Sequence, residues 1–353
     1  MLKKAENNEP EDTRPALERI LSVATPLAEK SYPDQLQSKT DVIKEVLDKL
    51  RSTFMKQNAF FKSHGVVEDN LAKLEPFIES PVTHGYRNKC EFTVGRHPET
   101  QEITVGFRLA SYKKGSIAVV DIDHLPIVSD TMKSVAKHFQ KFVKTSGYDP
   151  YDNVSQNGNW KQLTVRQSIR NENLLVWAVI HPQGLTEDNK KAIKASLVQH
   201  FETFEPSVTS LNIQFLGQRQ KGQGEPAVEC IKGQTFIKER LMDLTFKISP
   251  QAFFQVNTDT AEKLFQQVSK VASMDQETIL FDVCCGTGTI GLCLASKVKE
   301  VHGIDIVEEA IEDANANAKA NGITNAQFHA GEYAGFFKDI TITKLTLQSL
   351  MSI

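Results

Sequence analysis

The chain has 353 residues, 40% of them hydrophobic and 24% charged, with a formal net charge of -3. That length accommodates two domains with separate cores, and the slightly acidic balance excludes a global attraction to nucleic acid, so any such contact must come from a local basic patch. Five cysteines without zinc-ligand spacing or a secretory signal point to reducing surroundings, and no apolar run approaches the ~18 residues of a membrane-spanning helix.

Residues 1–30 read as a polar, disordered N-terminus, and Met1 to Asp12 hold no arginine to support a mitochondrial transit peptide. A helical segment follows over 31–69. Asp34 is placed to cap its helix, and Leu36, Ile43, Leu47, Leu50 and Phe54 recur at helical spacing as a packing stripe.

From Tyr86 to Val120 the pattern changes to short strands, Cys90 to Val94, Ile103 to Leu109 and Ser116 to Val120, with Lys113 to Gly115 as a turn. Arg87, Lys89, Arg96, Arg108, Lys113 and Lys114 outnumber Glu91, Glu99 and Glu102 there. Bases on short strands, with Tyr86 and Phe107 nearby, suit phosphate contacts; the same residues also suit an ordinary mixed-charge sheet surface. A helix is expected over Asp130 to Lys144, a strand over Trp160 to Arg166 and a central strand over Leu174 to Ile180. Another helix over Glu187 to Phe201 and a strand over Val208 to Phe215 complete an antiparallel α+β region spanning 70–240. Gly217 to Glu225 contains no apolar residue and reads as a solvated loop.

The chemistry concentrates farther on. Ile279, Leu280, Phe281 and Val283 form a buried parallel strand, and Gly286, Gly288 and Gly291 follow as the chain turns into a helix expected over Leu292 to Val298. A second strand, Val298 to Ile304, ends at Asp305, where a carboxylate can accept both hydroxyls of an adenosine ribose. Gly-x-Gly-x-x-Gly with this acid suits a dinucleotide equally well. Asp282, four residues before Gly286, favours the cationic amino-acid end of S-adenosyl-L-methionine, because a pyrophosphate gains nothing from a carboxylate beside it. A dinucleotide site, or a fold that binds neither, stays open at this point.

Four separate segments resemble the RNA uracil-5-methyltransferase family, in its eukaryotic branch acting on the tRNA T loop: Tyr86 to Gly95, Trp160 to Arg166, Ile248 to Asn257 and Phe281 to Gly291. The resemblance runs from about residue 35 to 331. It implies a Rossmann-like class I methyltransferase domain over 241–331 preceded by an RNA-binding middle domain. S-adenosyl-L-methionine would be the cofactor, uridine 54 of tRNA the target, a metal-free monomer the working form, and the cytoplasm or nucleus the location. Gln255 would contact the methionine part of the cofactor and Asp305 its ribose. Cys284 and Thr289 would line the pocket with Asp282, Gly286 and Gly288. Phe253 would lie at the target base, and Arg87, Lys89 and Trp160 would serve the RNA. Asn257 would order the Ser249 to Asn257 loop. The residues themselves agree in part: Pro250 to Gln255 sets two aromatics and two amides before a helix starting near Thr258. Aromatics can stack an unstacked base and amides can read its edge, or Phe253 and Phe254 can anchor the loop to the core.

Three groups implied by the resemblance have no counterpart: an Asp-Pro-Pro-Arg segment, a Ser-Cys-Asn-Pro segment with the nucleophile that adds to uracil C6, and a glutamate base. No catalytic residue is therefore assigned. Glu332 to Ile353 reads as an atypical tail, Glu332 and Tyr333 do not reproduce the acidic pair beside the adenine, and the pattern as a whole reads as C-terminally truncated. The expectation is a chain inactive by itself, with a non-catalytic tRNA-binding or tRNA-folding protein as the alternative.

Overall fold

The structure is a computed structural model that describes residues 13–57, 74–109, 118–217, 226–331 and 345–348. The expectations for residues 1–12, the Lys113 to Gly115 turn and most of the 217–225 loop lie outside the described residues.

Two helices come first, α1 (Ala16–Ala24) and α2 (Tyr32–Gln57). Ser31, rather than Asp34, caps α2: its hydroxyl accepts the Asp34 N–H at 3.3 Å and donates to the Asp34 carboxylate. The hydroxyl satisfies an amide of the first turn, and the Asp34 side chain accepts from the cap instead of being it. The expected packing stripe stays largely in solvent, with Ile43 39% and Leu50 48% exposed. Periodicity reports an amphipathic helix and not what covers it.

The central sheet contains β1 (Lys89–Arg96), β2 (Ile103–Arg108), β3 (Val119–Val120), β4 (Trp160–Ser168), β5 (Asn173–Ile180), β6 (Ser210–Phe215) and β7 (Glu229–Gly233), in the order β3-β2-β1-β4-β5-β6-β7. Helix α3 (Asp130–Thr145) follows β3, and α4 (Glu187–Phe201) lies between β5 and β6. The expected antiparallel sheet has one exception: β5 and β6 are parallel, because α4 carries the chain back as a crossover. Phe92, Val94, Leu163, Val176 and Ile213 meet Phe139 of α3 and Leu197 of α4 in one buried core. The opposite face is polar yet buried at Thr164, Arg166, Ser168, Ser210 and Asn212. It meets a hairpin of β8 (Ile237–Leu241) and β9 (Leu244–Ile248), where Leu175 of β5 joins the hairpin core.

Next come α5 (Thr258–Val271), β10 (Ile279–Val283), α6 (Thr289–Leu294), β11 (Glu300–Asp305), α7 (Glu308–Ala320), β12 (Ala326–Ala330) and β13 (Leu345–Gln348). Helix α6 starts earlier than the sequence implied and passes into a 3-10 turn, Ala295–Lys297, before the extended Val298. Four parallel strands stack in the order β12-β11-β10-β13. The tail expected to be atypical thus adds a strand, with Ile279 opposite Leu345 and Asp282 opposite Gln348. Such an order reverses direction beside β10, and α/β sheets bind ligands at the carboxyl ends of the strands flanking that reversal. Among the described residues no helix is long and apolar enough to cross a membrane, and no group of three or more His, Cys, Asp or Glu residues could hold a metal ion.

Candidate cofactor and nucleic-acid site

The glycine turn at the end of β10 is fixed by two carboxylates. Asp305, closing β11, accepts the Gly286 N–H at 2.9 Å through one oxygen and the Val307 N–H at 3.0 Å through the other. The Cys285 N–H donates to the Ile304 carbonyl at 3.1 Å, so the turn is stitched to the end of the neighbouring strand at Ile304 and at Asp305. Asp282 lies beneath the turn, 8% exposed, and accepts the Gly291 N–H at 2.9 Å. Burial pushes its pKa up to about 6; the Gly291 N–H opposes the rise and the charge of Asp305 adds to it.

Gly286 and Gly291 are glycines for different reasons. At Gly286 φ is +53° and a Cβ would meet nothing within 4 Å, so packing does not demand the glycine; the left-handed backbone does, and space lies beside it. A Cβ at Gly291 would come within 2.8 Å of Val301. Cys284 is exposed and also left-handed, with φ +60°, a conformation that costs a non-glycine residue and concentrates at functional sites. Gly288, at φ +74°, begins α6, and the Thr289 hydroxyl lies 3.1 Å from that of Thr287.

The loop from Ser249 to Asn257 separates its two phenylalanines. Phe254 is buried, its ring 6.0 Å from that of Phe246, whereas Phe253 is 62% exposed. Phe254 is therefore the anchor and Phe253 the aromatic available to a base. Asn257 caps α5 by accepting the Thr260 N–H at 3.0 Å. The loop is also held from outside: the Asn88 side chain donates to the Gln255 carbonyl at 2.7 Å and to the Thr258 hydroxyl at 2.9 Å, and the Asn88 N–H donates to the Val256 carbonyl at 2.8 Å. Beside it a cleft of about 740 Å³ is lined by Tyr32, Ser80, His84, Tyr86, Asn257 and Thr260 among others.

The expected RNA-facing residues divide. Arg87 donates through Nε to the Lys89 carbonyl at 3.3 Å, and the Lys89 ammonium lies 2.7 Å from Glu91. Arg96 pairs with Asp149 at 2.7 Å, so part of the basic excess is neutralised locally. Trp160 is a correction: it is fully buried, its indole N–H donates to Ser146 at 2.9 Å, and Phe139 and Phe142 pack edge-on against it. A large aromatic on the core-facing register of a strand is consumed by packing and has no surface to offer RNA. The sequence reading missed Asn88 and Arg166 as loop contacts, because single polar residues on strands carry no spacing signal.

The thiols near the turn differ in exposure. Cys285 and Cys293 are buried, and burial pushes both thiols up, that of Cys293 to about 12. Cys284 is exposed but on the turn itself. The open space at Gly286, the adjoining Asp305 carboxylate and the outward Cys284 fit an adenosyl cofactor on this turn.

Comparison with known proteins agrees with this geometry. A family model described as a methyltransferase domain matches residues 274–347. The chain is 39% identical over 356 residues to human tRNA (uracil-5-)-methyltransferase homolog A, covering 97% of this chain and 56% of that protein. It is 34% identical over 342 residues to human homolog B, covering 95% and 68%. Against the homolog A proteins of mouse and human it covers 54% and 56% of their length, so the chain spans about half the length of these curated relatives. Its fold is similar to the crystal structure of Pyrococcus abyssi tRNA (uracil-54, C5)-methyltransferase in complex with S-adenosyl-L-homocysteine, with TM-score 0.57, 24% identity, and 76% and 58% of the two chains covered.

Proposed function

Because the chain belongs to the tRNA (uracil-5-)-methyltransferase family, we propose that it serves S-adenosyl-L-methionine-dependent methylation at C5 of a tRNA uridine, position 54 of the T loop. The observation that carries this reading is the Gly286 turn clasped by Asp305, with exposed Phe253 on a loop whose next-but-one residue is Gln255.

When bound, the cofactor supplies an electrophilic methyl group. Asp305 accepts the ribose hydroxyls at the end of β11, while Cys284, Gly286, Gly288 and Thr289 line its path. Asp282, beneath the turn, keeps negative charge near the cationic end and holds Gly291 in place. Gln255 meets the methionine part, and Phe253 stacks the unstacked uracil. Arg87 and Lys89, at the start of β1, take the RNA backbone, so affinity should depend on salt.

Uracil C5 becomes nucleophilic only after a thiolate adds to C6, and proton removal from C5 then needs a base. Burial pushes the Cys285 and Cys293 thiols up, and no residue of this chain is assigned as nucleophile or base; the reading for the chain by itself is binding of cofactor and tRNA without turnover. That result would equally serve a tRNA-folding protein. The deciding experiment measures methyl transfer from labelled S-adenosyl-L-methionine to a tRNA transcript, alongside tRNA binding. Binding of both without transfer is the expected outcome; transfer above an Asp305→Ala control would overturn the inactivity of the chain by itself, and no binding of S-adenosyl-L-methionine would overturn the methylation reading.

A further inference from the structure

Arg166 of β4 is 2% exposed, and its Nη2 donates to the Ala252 carbonyl at 2.9 Å. Its Nε and Nη1 have no acceptor among the described residues. Burial lowers its pKa to about 10, against the charges of Glu239 and Glu91, so the guanidinium stays protonated. A buried cation with so little hydrogen bonding is costly to desolvate. Core stability therefore does not account for an arginine here.

Its one acceptor is informative. Ala252 immediately precedes Phe253 in the Ser249 to Asn257 loop, and the far end of that loop is held by Asn88 through the carbonyls of Gln255 and Val256. The two anchors are neighbours on one sheet: Lys89 lies opposite Arg166 in the β1/β4 ladder, and the Gln167 N–H donates to the Asn88 carbonyl at 2.8 Å. Exposed Phe253 and the amide of Gln255 lie between them. The loop that presents both groups is thus held at one end by Asn88, just before β1, and at the other by Arg166 of β4, which lies opposite Lys89.

We propose that Arg166 is a positioning residue: with Asn88 it fixes the geometry of the Phe253 to Gln255 segment, so the central sheet aligns part of the cofactor site as well as holding RNA. The inference rests on the reading of Gln255 as a cofactor contact. Arg166→Met removes the donor to Ala252 while filling the volume; Arg166→Lys retains one donor. Calorimetric affinity for S-adenosylhomocysteine is expected to weaken about tenfold in Arg166→Met, the loss of one charge-assisted hydrogen bond, with Arg166→Lys recovering most of it. Recovery of affinity in Arg166→Lys, with both variants shown to be folded by circular dichroism, separates positioning from a general loss of structure. Asn88→Ala, at the other anchor, should weaken binding in the same direction, and it decides the matter if Arg166→Met does not fold. Wild-type affinity in folded Arg166→Met, or in Asn88→Ala where that variant decides, would overturn the proposal. Failure of the wild-type chain itself to bind S-adenosylhomocysteine would sink the cofactor reading instead.

Discussion

The Asp282 carboxylate on β10 accepts the Gly291 amide of α6 at 2.9 Å while almost wholly shielded from water. This one bond joins the motif strand to the helix that follows it, and it holds an acid in a place that disfavours its charge. With a folded pKa of about 6 against an ordinary 3.8, Asp282 takes up protons on folding. Its contribution to stability is full below the unfolded value and is lost as pH rises through the folded one. Asp282→Asn keeps an acceptor for Gly291 without the charge. Denaturant unfolding should show the variant more stable than the wild type at pH 8, by about 1–3 kcal/mol, and the advantage vanishing near pH 4. Its affinity for S-adenosylhomocysteine, which carries an ammonium group, should fall at pH 8.

The two glycines of the turn should respond differently. Gly286→Ala has space but an unfavourable φ, so stability drops by about 1 kcal/mol while cofactor affinity drops much further. Gly291→Ala forces a methyl group onto Val301 and should cost about 1–3 kcal/mol of stability. Chemical denaturation and calorimetry on each variant separate the two patterns.

Trp160 and Lys89 offer a second contrast. Trp160→Ala should destabilise by about 3–5 kcal/mol through the cavity left beside Phe139 and Phe142. Lys89→Ala should leave folding nearly unchanged, weaken tRNA binding and reduce the salt slope by about one. Filter binding across a salt series, with unfolding curves, checks both.

Much of this was legible in the sequence because periodicity and glycine spacing are local. The helix at Glu187–Phe201 and the strand at Ile279–Val283 lie where apolar patterning put them. The parallel pairing of β5 and β6 was not legible, since strand direction depends on the path of α4 across the sheet. Trp160 was misread for the reason that Phe253 and Phe254 could not be told apart: an aromatic in a family segment serves packing or binding according to which face its backbone presents. Asn88 and Arg166 were invisible for want of any repeat, their partners lying some 167 and 86 positions away.

Thiol reactivity tests the turn from another side. Cys284 is exposed, whereas burial pushes the Cys285 and Cys293 thiols up. Iodoacetamide at pH 8 should label Cys284 and leave Cys285 and Cys293 intact in the folded protein, as read by peptide mass spectrometry. Saturating S-adenosylhomocysteine should slow the labelling of Cys284.

The most direct test is titration calorimetry of the folded chain with S-adenosylhomocysteine, beside Asp305→Ala. A single saturable site, weakened at least tenfold when the carboxylate that clasps Gly286 is removed, is the predicted result. No measurable heat from well-folded wild-type protein, or equal affinity in Asp305→Ala, would contradict the assignment of this turn to the cofactor.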